Sequence, residues 1–367
     1  MPEASVTAYP ALNSAALGAA DAHDERVGVL RAFERAIYGR VPHLALALGD
    51  KSPLACGAIA TAPLCERWQA AVSPNGTAFD IIVLAPPAPR AMLICQVFQR
   101  APQSMTRIAE ALAGGARWRL GETWLQLLLG RYIHAPPLEW VVRQGFGLAF
   151  FCPGDVVPDR VHLAAHALER LAPDAPADER PGAIAGWAGL MSGVRRALAD
   201  DERFRHTPAV AWGHSRHGKA ALLGGAYDQD FAAVIAHQSG RFGAAMTAAH
   251  AGETPLQIAR AFPHWFCQRL LDDVRAGRAP PVDQHDLLAL IAPRPLLLGD
   301  ASLDFWADPR GARRAVALAS CALASEPRTI ECFMRAGGHG LNGADWRAFV
   351  KFLDARFPGP RLQGTGA

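Results

Sequence analysis

The apolar run Ala209-Val210-Ala211-Trp212 meets Gly213-His214-Ser215 and continues as Arg216-His217-Gly218-Lys219-Ala220-Ala221-Leu222-Leu223-Gly224. This strand, turn and helix constrains the fold more than any other stretch. Ala220, Leu222 and Leu223 begin a buried helix face, and Gly213 permits a tight turn. Ser215 is left at the tip, beside the helix N-terminus, where unpaired backbone N–H groups can stabilise an oxyanion. A hydrolase exposes a nucleophile in this way. His217 stands where the second glycine of Gly-x-Ser-x-Gly would fall, with Gly218 one residue later, which argues against a generic lipase or peptidase.

Around this turn, apolar runs alternate with helical segments. Helices are expected over 24–40, 138–144, 184–199 and 344–356, and strands over 147–152, 209–212, 233–236, 296–298 and 330–334. The runs at 80–84 and 92–98 flank Pro86-Pro87-Ala88-Pro89 and predict a hairpin. The pattern predicts an α/β-hydrolase fold, a mainly parallel sheet with helices on both faces in a three-layer sandwich. Ser215, Asp304 and His339 each follow a strand-like run, in the order serine, acid, histidine expected of that fold, and catalytic groups belong at the carboxyl ends of its strands. Residues 24–357 are expected to form one domain, with an N-terminal extension over 1–23 and a tail over 358–367. The irregular 240–290 stretch is expected to be a substrate-covering insertion.

Composition excludes several classes. Half the residues are hydrophobic and 19% charged, enough apolar material for a large core. A formal charge of +3 without a polybasic block implies no nucleic-acid or membrane partner. No P-loop, zinc-type Cys/His spacing or dinucleotide fingerprint occurs, so no metal and no cofactor is expected. The seven cysteines have no framework spacing; Cys95, Cys152 and Cys332 lie in strand-like runs and are expected as buried free thiols. The N-terminal residues lack the basic start and apolar stretch of a signal peptide, so the chain is expected to be cytoplasmic, or secreted or periplasmic if a leader was removed.

A serine hydroxyl needs a neighbouring base to become a nucleophile. Of thirteen histidines, His339 in Gly337-Gly338-His339-Gly340 follows the last strand on a loop whose glycines let the ring swing toward the serine. His264 and His285 are expected to pack or hydrogen-bond, and His214 and His217 to line a pocket. Lys219 lies one helical turn beyond Ser215 on the same face.

The elbow resembles Gly-x-Ser-Arg-x-Gly-Lys, the signature of the glucuronoyl esterases, carbohydrate esterases that cleave esters of glucuronic acid. Tyr38-Gly39-Arg40-Val41-Pro42, Gly145-Phe146-Gly147 with Gly154-Asp155, Phe262-Pro263-His264-Trp265-Phe266, Asp283-Gln284-His285 with Ile291-Ala292-Pro293-Arg294-Pro295, Asp304-Phe305-Trp306-Ala307-Asp308-Pro309 and Gly338-His339 are similar to bacterial members, in the same order. The resemblance implies a metal-independent serine esterase acting on a small-molecule or oligosaccharide uronate ester. It implies that Arg216 adds a guanidinium beside the oxyanion, that Lys219 reaches sugar hydroxyls, and that Glu253 and Trp306 bind the uronic acid ring, with Gln257 a weaker candidate. Many members carry the acid as a glutamate twenty-three residues after the nucleophile, where this chain has Gln238; others supply it after the following strand, where Asp304 stands. Its rivals are Asp300, nearest the strand, and Asp308, expected to cap the helix beginning at Pro309. The disulfide of fungal relatives cannot form, because His214 and Gly340 occupy its positions.

The chain departs from the family at Arg241 and Phe242, expected to narrow or repolarise the pocket, and at Gln96–Pro102, which lacks the asparagine and glycine common in the early oxyanion loop. The alternatives are a serine esterase for acetyl or feruloyl esters and a non-catalytic carbohydrate-binding protein on the same fold.

Overall fold

The chain's strands are β1 (Ala45–Pro53), β2 (Leu64–Ser73), β3 (Thr77–Ala85), β4 (Met92–Gln96), β5 (Gly147–Phe151), β6 (Ala209–His214), β7 (Phe231–His237), β8 (Leu296–Ala301) and β9 (Ile330–Arg335). A computed structural model describes residues 19–57, 64–73, 75–97, 129–133, 135–248, 251–323 and 329–362. The strands form one sheet in the order β1-β2-β3-β5-β4-β6-β7-β8-β9. The pairs β1–β2, β2–β3 and β3–β5 are antiparallel, and every pair from β5–β4 to β8–β9 is parallel.

Alternate residues of the central strands face opposite layers, as the period of two requires. Ile81, Val83, Ile94, Ala211 and Val234 join the core shared with the helices Ala183–Ala199 and Arg216–Tyr227. Ile82, Leu84, Leu93, Val210 and Ile235 join the core on the other face, with the helices Leu138–Arg143 and Gly343–Arg356. This is the expected α/β-hydrolase sandwich.

Three local expectations are corrected. β3 and β4 do not pair as a hairpin; β5 lies between them, antiparallel to β3 and parallel to β4. Both flanks are buried apolar strands, so the sheet's interior selects the neighbour and the short proline-rich link merely crosses over. The first helix runs Ala19–Phe33 and continues as a π-turn over Glu34–Tyr38 that ends at Gly39. Gly39 has φ +74°, and a Cβ there would stand 2.3 Å from the Arg180 carbonyl oxygen, so only glycine fits. Cys332 is exposed, against expectation, because β9 is the sheet's edge strand; Cys65, Cys95, Cys152 and Cys267 are buried, and all seven cysteines are free thiols.

Among the described residues no helix is long and apolar enough to cross a membrane. Most of the early oxyanion loop, 98–102, and the extension up to residue 18 lie outside the described residues.

Candidate active site

β6, β7, β8 and β9 all end at the same edge of the sheet, and each end delivers one part of the site. β6 ends at His214, and Ser215 then turns the chain into the helix Arg216–Tyr227 with φ +56° and ψ −125°. A non-glycine residue in this region is strained, and such strain persists where the surroundings fix it. Here the Ser215 N–H donates to the His237 carbonyl at 2.8 Å, and the Ser215 carbonyl accepts from Gly218 N–H at 2.9 Å. Gly213 is obligatory, since a Cβ would lie 2.1 Å from the His217 carbonyl oxygen. The missing second glycine is explained by direction: the His217 side chain is buried edge-on against Trp187, ring centroids 5.5 Å apart. Burial foremost, with the Arg216 charge, pulls its imidazole down to about 3, so it stays neutral.

β9 delivers the base. The His339 Nδ1–H donates to Asp304 Oδ2 at 2.7 Å, because a carboxylate can only accept, and Nε2 is thereby left to take a proton. Asp304 follows β8, is 3% exposed, and is itself fixed by accepting from Ala307 N–H. The loops after β8 and β9 are joined by Ser302 N–H to Arg335 carbonyl and Leu303 N–H to Gly337 carbonyl, both 2.9 Å. The His339 ring lies 4.9 Å from the ring of His214, the residue before Ser215. Among the described residues no hydrogen bond joins the Ser215 hydroxyl to His339.

The rival acids fall elsewhere. Asp308 caps the helix Pro309–Ala322, accepting from Gly311 N–H. Asp300 is buried in β8, where desolvation first and the Asp304 charge second raise its carboxyl to about 7. Gln238 takes neither role: its Oε1 accepts from Gly340 N–H at 2.8 Å and its Nε2 donates to the Gly338 carbonyl at 3.3 Å, gripping the backbone on both sides of His339.

Arg216 leans toward Asp159, with which it forms an ion pair, and lies over the rings of Trp265 and Phe262 at 5.2 and 5.9 Å. Asp159 also accepts from Trp265 Nε1 at 2.7 Å and bonds His264 at 2.8 Å. Burial would raise its carboxyl, but these partners hold it well below the usual range. Asp159 was not legible in the sequence, since it sits in an unremarked turn. His264 hydrogen-bonds as expected, and His285 Nε2 lies 3.3 Å from Asp286 Oδ1.

Of the four residues expected at the sugar, three converge. Lys219 is buried, and its ammonium donates to the Ser239 and Arg241 carbonyls, each at 2.5 Å. Burial lowers its affinity for a proton and raises that of Glu253, while each partner's charge opposes the drift. The Glu253 N–H donates to the Trp306 carbonyl at 3.2 Å, and Trp306 is 59% exposed. Gln257 is not part of this group. It closes the capping box of the helix Pro255–Ala261 with Thr254, where N3 glutamine and N-cap threonine satisfy each other's backbone N–H.

Arg241 and Phe242 also depart from expectation. Arg241 is 1% exposed and donates to the carbonyls of Glu253, Met246 and Ala251. It clasps the loop that carries Glu253. Phe242 is fully buried against Phe266.

Residues 176–323 match the family described as "Glucuronyl esterase, fungi". The chain is 32% identical over 243 residues to carbohydrate esterase MZ0003 of an unknown prokaryotic organism, covering 60% of this chain and 56% of that protein. It is 32% identical over 139 residues to a 4-O-methyl-glucuronoyl methylesterase of Hypocrea jecorina, covering 35% of this chain and 30% of that protein. The chain thus aligns with about half or less of the length of these curated relatives. A promiscuous CE15 esterase from a marine bacterial metagenome superposes with a TM-score of 0.76 at 26% identity, covering 93% of each chain. A CE15 glucuronoyl esterase from Teredinibacter turnerae has the same fold, with a TM-score of 0.71 at 24% identity over 95% of this chain and 89% of that one.

Proposed function

We propose that the chain is a member of the glucuronoyl esterase family, a serine esterase cleaving esters of glucuronic or 4-O-methyl-glucuronic acid through an acyl-enzyme. The observation that carries this is the 2.7 Å bond from His339 Nδ1 to Asp304 Oδ2, made after β9 and β8, whose carboxyl ends lie on the same sheet edge as the Ser215 turn.

Ser215 Oγ attacks the ester carbonyl as His339 Nε2 takes its proton, and the Asp304 carboxylate stabilises the imidazolium. The carbonyl oxygen, now negative, is held by the backbone N–H after the nucleophile, at the N-terminus of the helix Arg216–Tyr227. Arg216 contributes positive charge beside it, with its guanidinium oriented by Asp159. The imidazolium protonates the leaving alcohol. Water, deprotonated by the same ring, then releases the uronate and restores Ser215.

On this reading Glu253 and Trp306 meet the sugar ring, as hydroxyl acceptor and platform. The segment 240–290 forms the wall that carries Glu253, within a single domain spanning 24–357. The kcat/KM for methyl or benzyl glucuronate should exceed that for p-nitrophenyl acetate, acetylated xylose and methyl ferulate, under one pH and salt. A preference for acetate or ferulate would favour an acyl or aromatic esterase instead, and no turnover of any ester would favour a non-catalytic binding protein.

Lys219 supports the sugar wall from behind. Lys219→Met removes a charged donor from two buried carbonyls, each left at a cost of about 1–3 kcal/mol, so melting should fall by several degrees. Rates on glucuronate and acetate esters should fall together. A loss confined to the glucuronate ester, without a change in melting temperature, would assign the ammonium to the sugar instead.

A further inference from the structure

We propose that His214, His237, Asp345 and Arg335 are positioning residues that form a closed polar clamp holding His339 against the nucleophile turn; this rests on the serine-esterase reading above. His214 ends β6, directly before Ser215, and its Nδ1 is 2.9 Å from Nδ1 of His237, which ends β7. His237 Nε2 is 3.1 Å from Oδ1 of Asp345, fully buried in the first turn of the helix Gly343–Arg356. Arg335, the last residue of β9, donates through Nε to both Asp345 oxygens, at 2.8 and 2.9 Å. Its Nη2 donates to the Gly338 and Gly340 carbonyls at 3.0 and 2.8 Å, on either side of His339. The His339 ring, 4.9 Å from that of His214, closes the circuit.

The chemistry fixes the direction of each bond. The Asp345 carboxylate only accepts, so His237 carries its proton on Nε2 and accepts at Nδ1, which makes the His214 Nδ1–H the donor. Each ring then needs one proton, and burial lowers both imidazoles in favour of the neutral form. Asp345 and Arg335 balance each other's charge. His339 is consequently the ring in this cluster that changes charge during turnover.

The loop needs such a device. Gly337 and Gly340 have φ +108° and +149°, so the backbone around His339 has little stiffness of its own, and a misplacement of about 1 Å at a reacting group can cost about a hundredfold in rate. The tie runs through the strand ends.

The test compares Asp345→Asn with His214→Phe, which keeps a ring against His339 and removes the bond to His237. For each, kcat and KM are measured on benzyl glucuronate and p-nitrophenyl acetate. Melting temperature and the His339 Nδ1–H proton resonance are recorded as well. Asp345→Asn should lower kcat about tenfold or more on both esters with KM within about twofold, and the His339 resonance should broaden or vanish while the remaining spectrum stays folded. His214→Phe should show the same kcat loss to a smaller degree, and it decides the matter if Asp345→Asn fails to fold. Unchanged kcat and a retained resonance in a folded variant, with or without a lower melting temperature, would overturn the clamp. The resonance is recorded in Ser215→Ala protein also, so a chain that hydrolyses no glucuronate ester would sink the functional reading while leaving the clamp testable.

Discussion

Ser215→Ala should abolish ester hydrolysis while leaving the fold intact. The hydroxyl is partly exposed at the tip of the turn, and its removal takes nothing from the core. The strained backbone is held by bonds through Ser215 N–H and carbonyl, which alanine keeps. Losing the nucleophile of a triad costs several orders of magnitude in turnover, and the other members acting without it add almost nothing. Activity on benzyl glucuronate should therefore fall by about 10³-fold or more, with circular dichroism and melting temperature near those of the parent. Near-parental turnover in a folded Ser215→Ala protein would end the serine-esterase reading.

Asp304→Asn should be almost as damaging, and far more so than Gln238→Ala. Asp304 accepts from His339 Nδ1–H, so it both fixes the tautomer and offsets the imidazolium charge. Asparagine can present its amide N–H to that nitrogen, trapping the tautomer with the proton on Nε2; in serine proteases the equivalent change costs about 10⁴-fold. Gln238 grips the His339 loop only through the backbone of Gly338 and Gly340, a role shared with Arg335. Its loss should cost about tenfold or less. The comparison is read as kcat on one ester for the two folded variants. A mild Asp304→Asn beside a severe Asp300→Asn would move the acid to Asp300.

The nucleophile turn was legible because it is local. Gly213, Ser215 and the helix after them lie within a few residues, and the backbone needs those residue types in that order. The position of Asp304 and His339 after strand-like runs was legible too, because a parallel sheet puts such sites at one edge. The hairpin expected at 80–98 failed because strand pairing is decided by what covers both faces of the sheet, and β5 arrives from fifty residues downstream. Asp159, His237 and Asp345 escaped because their partners are distant: the bond from His237 to Asp345 spans 108 residues, and no pattern of period two or 3.6 encodes it. Arg241 and Gln257 carry the chemistry of ligand-binding residues but spend it on loop carbonyls and a helix cap, a distinction visible only once the neighbouring backbone is in place.

The central claim, that Ser215 is the group through which this chain cleaves a uronate ester, is tested most directly by titrating the protein with a fluorophosphonate and following benzyl glucuronate hydrolysis against the fraction of Ser215 modified, read by peptide mass mapping. Activity should fall in proportion to that fraction and vanish when Ser215 is fully labelled. Hydrolysis that survives complete labelling of Ser215, or that is lost through an adduct on another residue, would contradict the account.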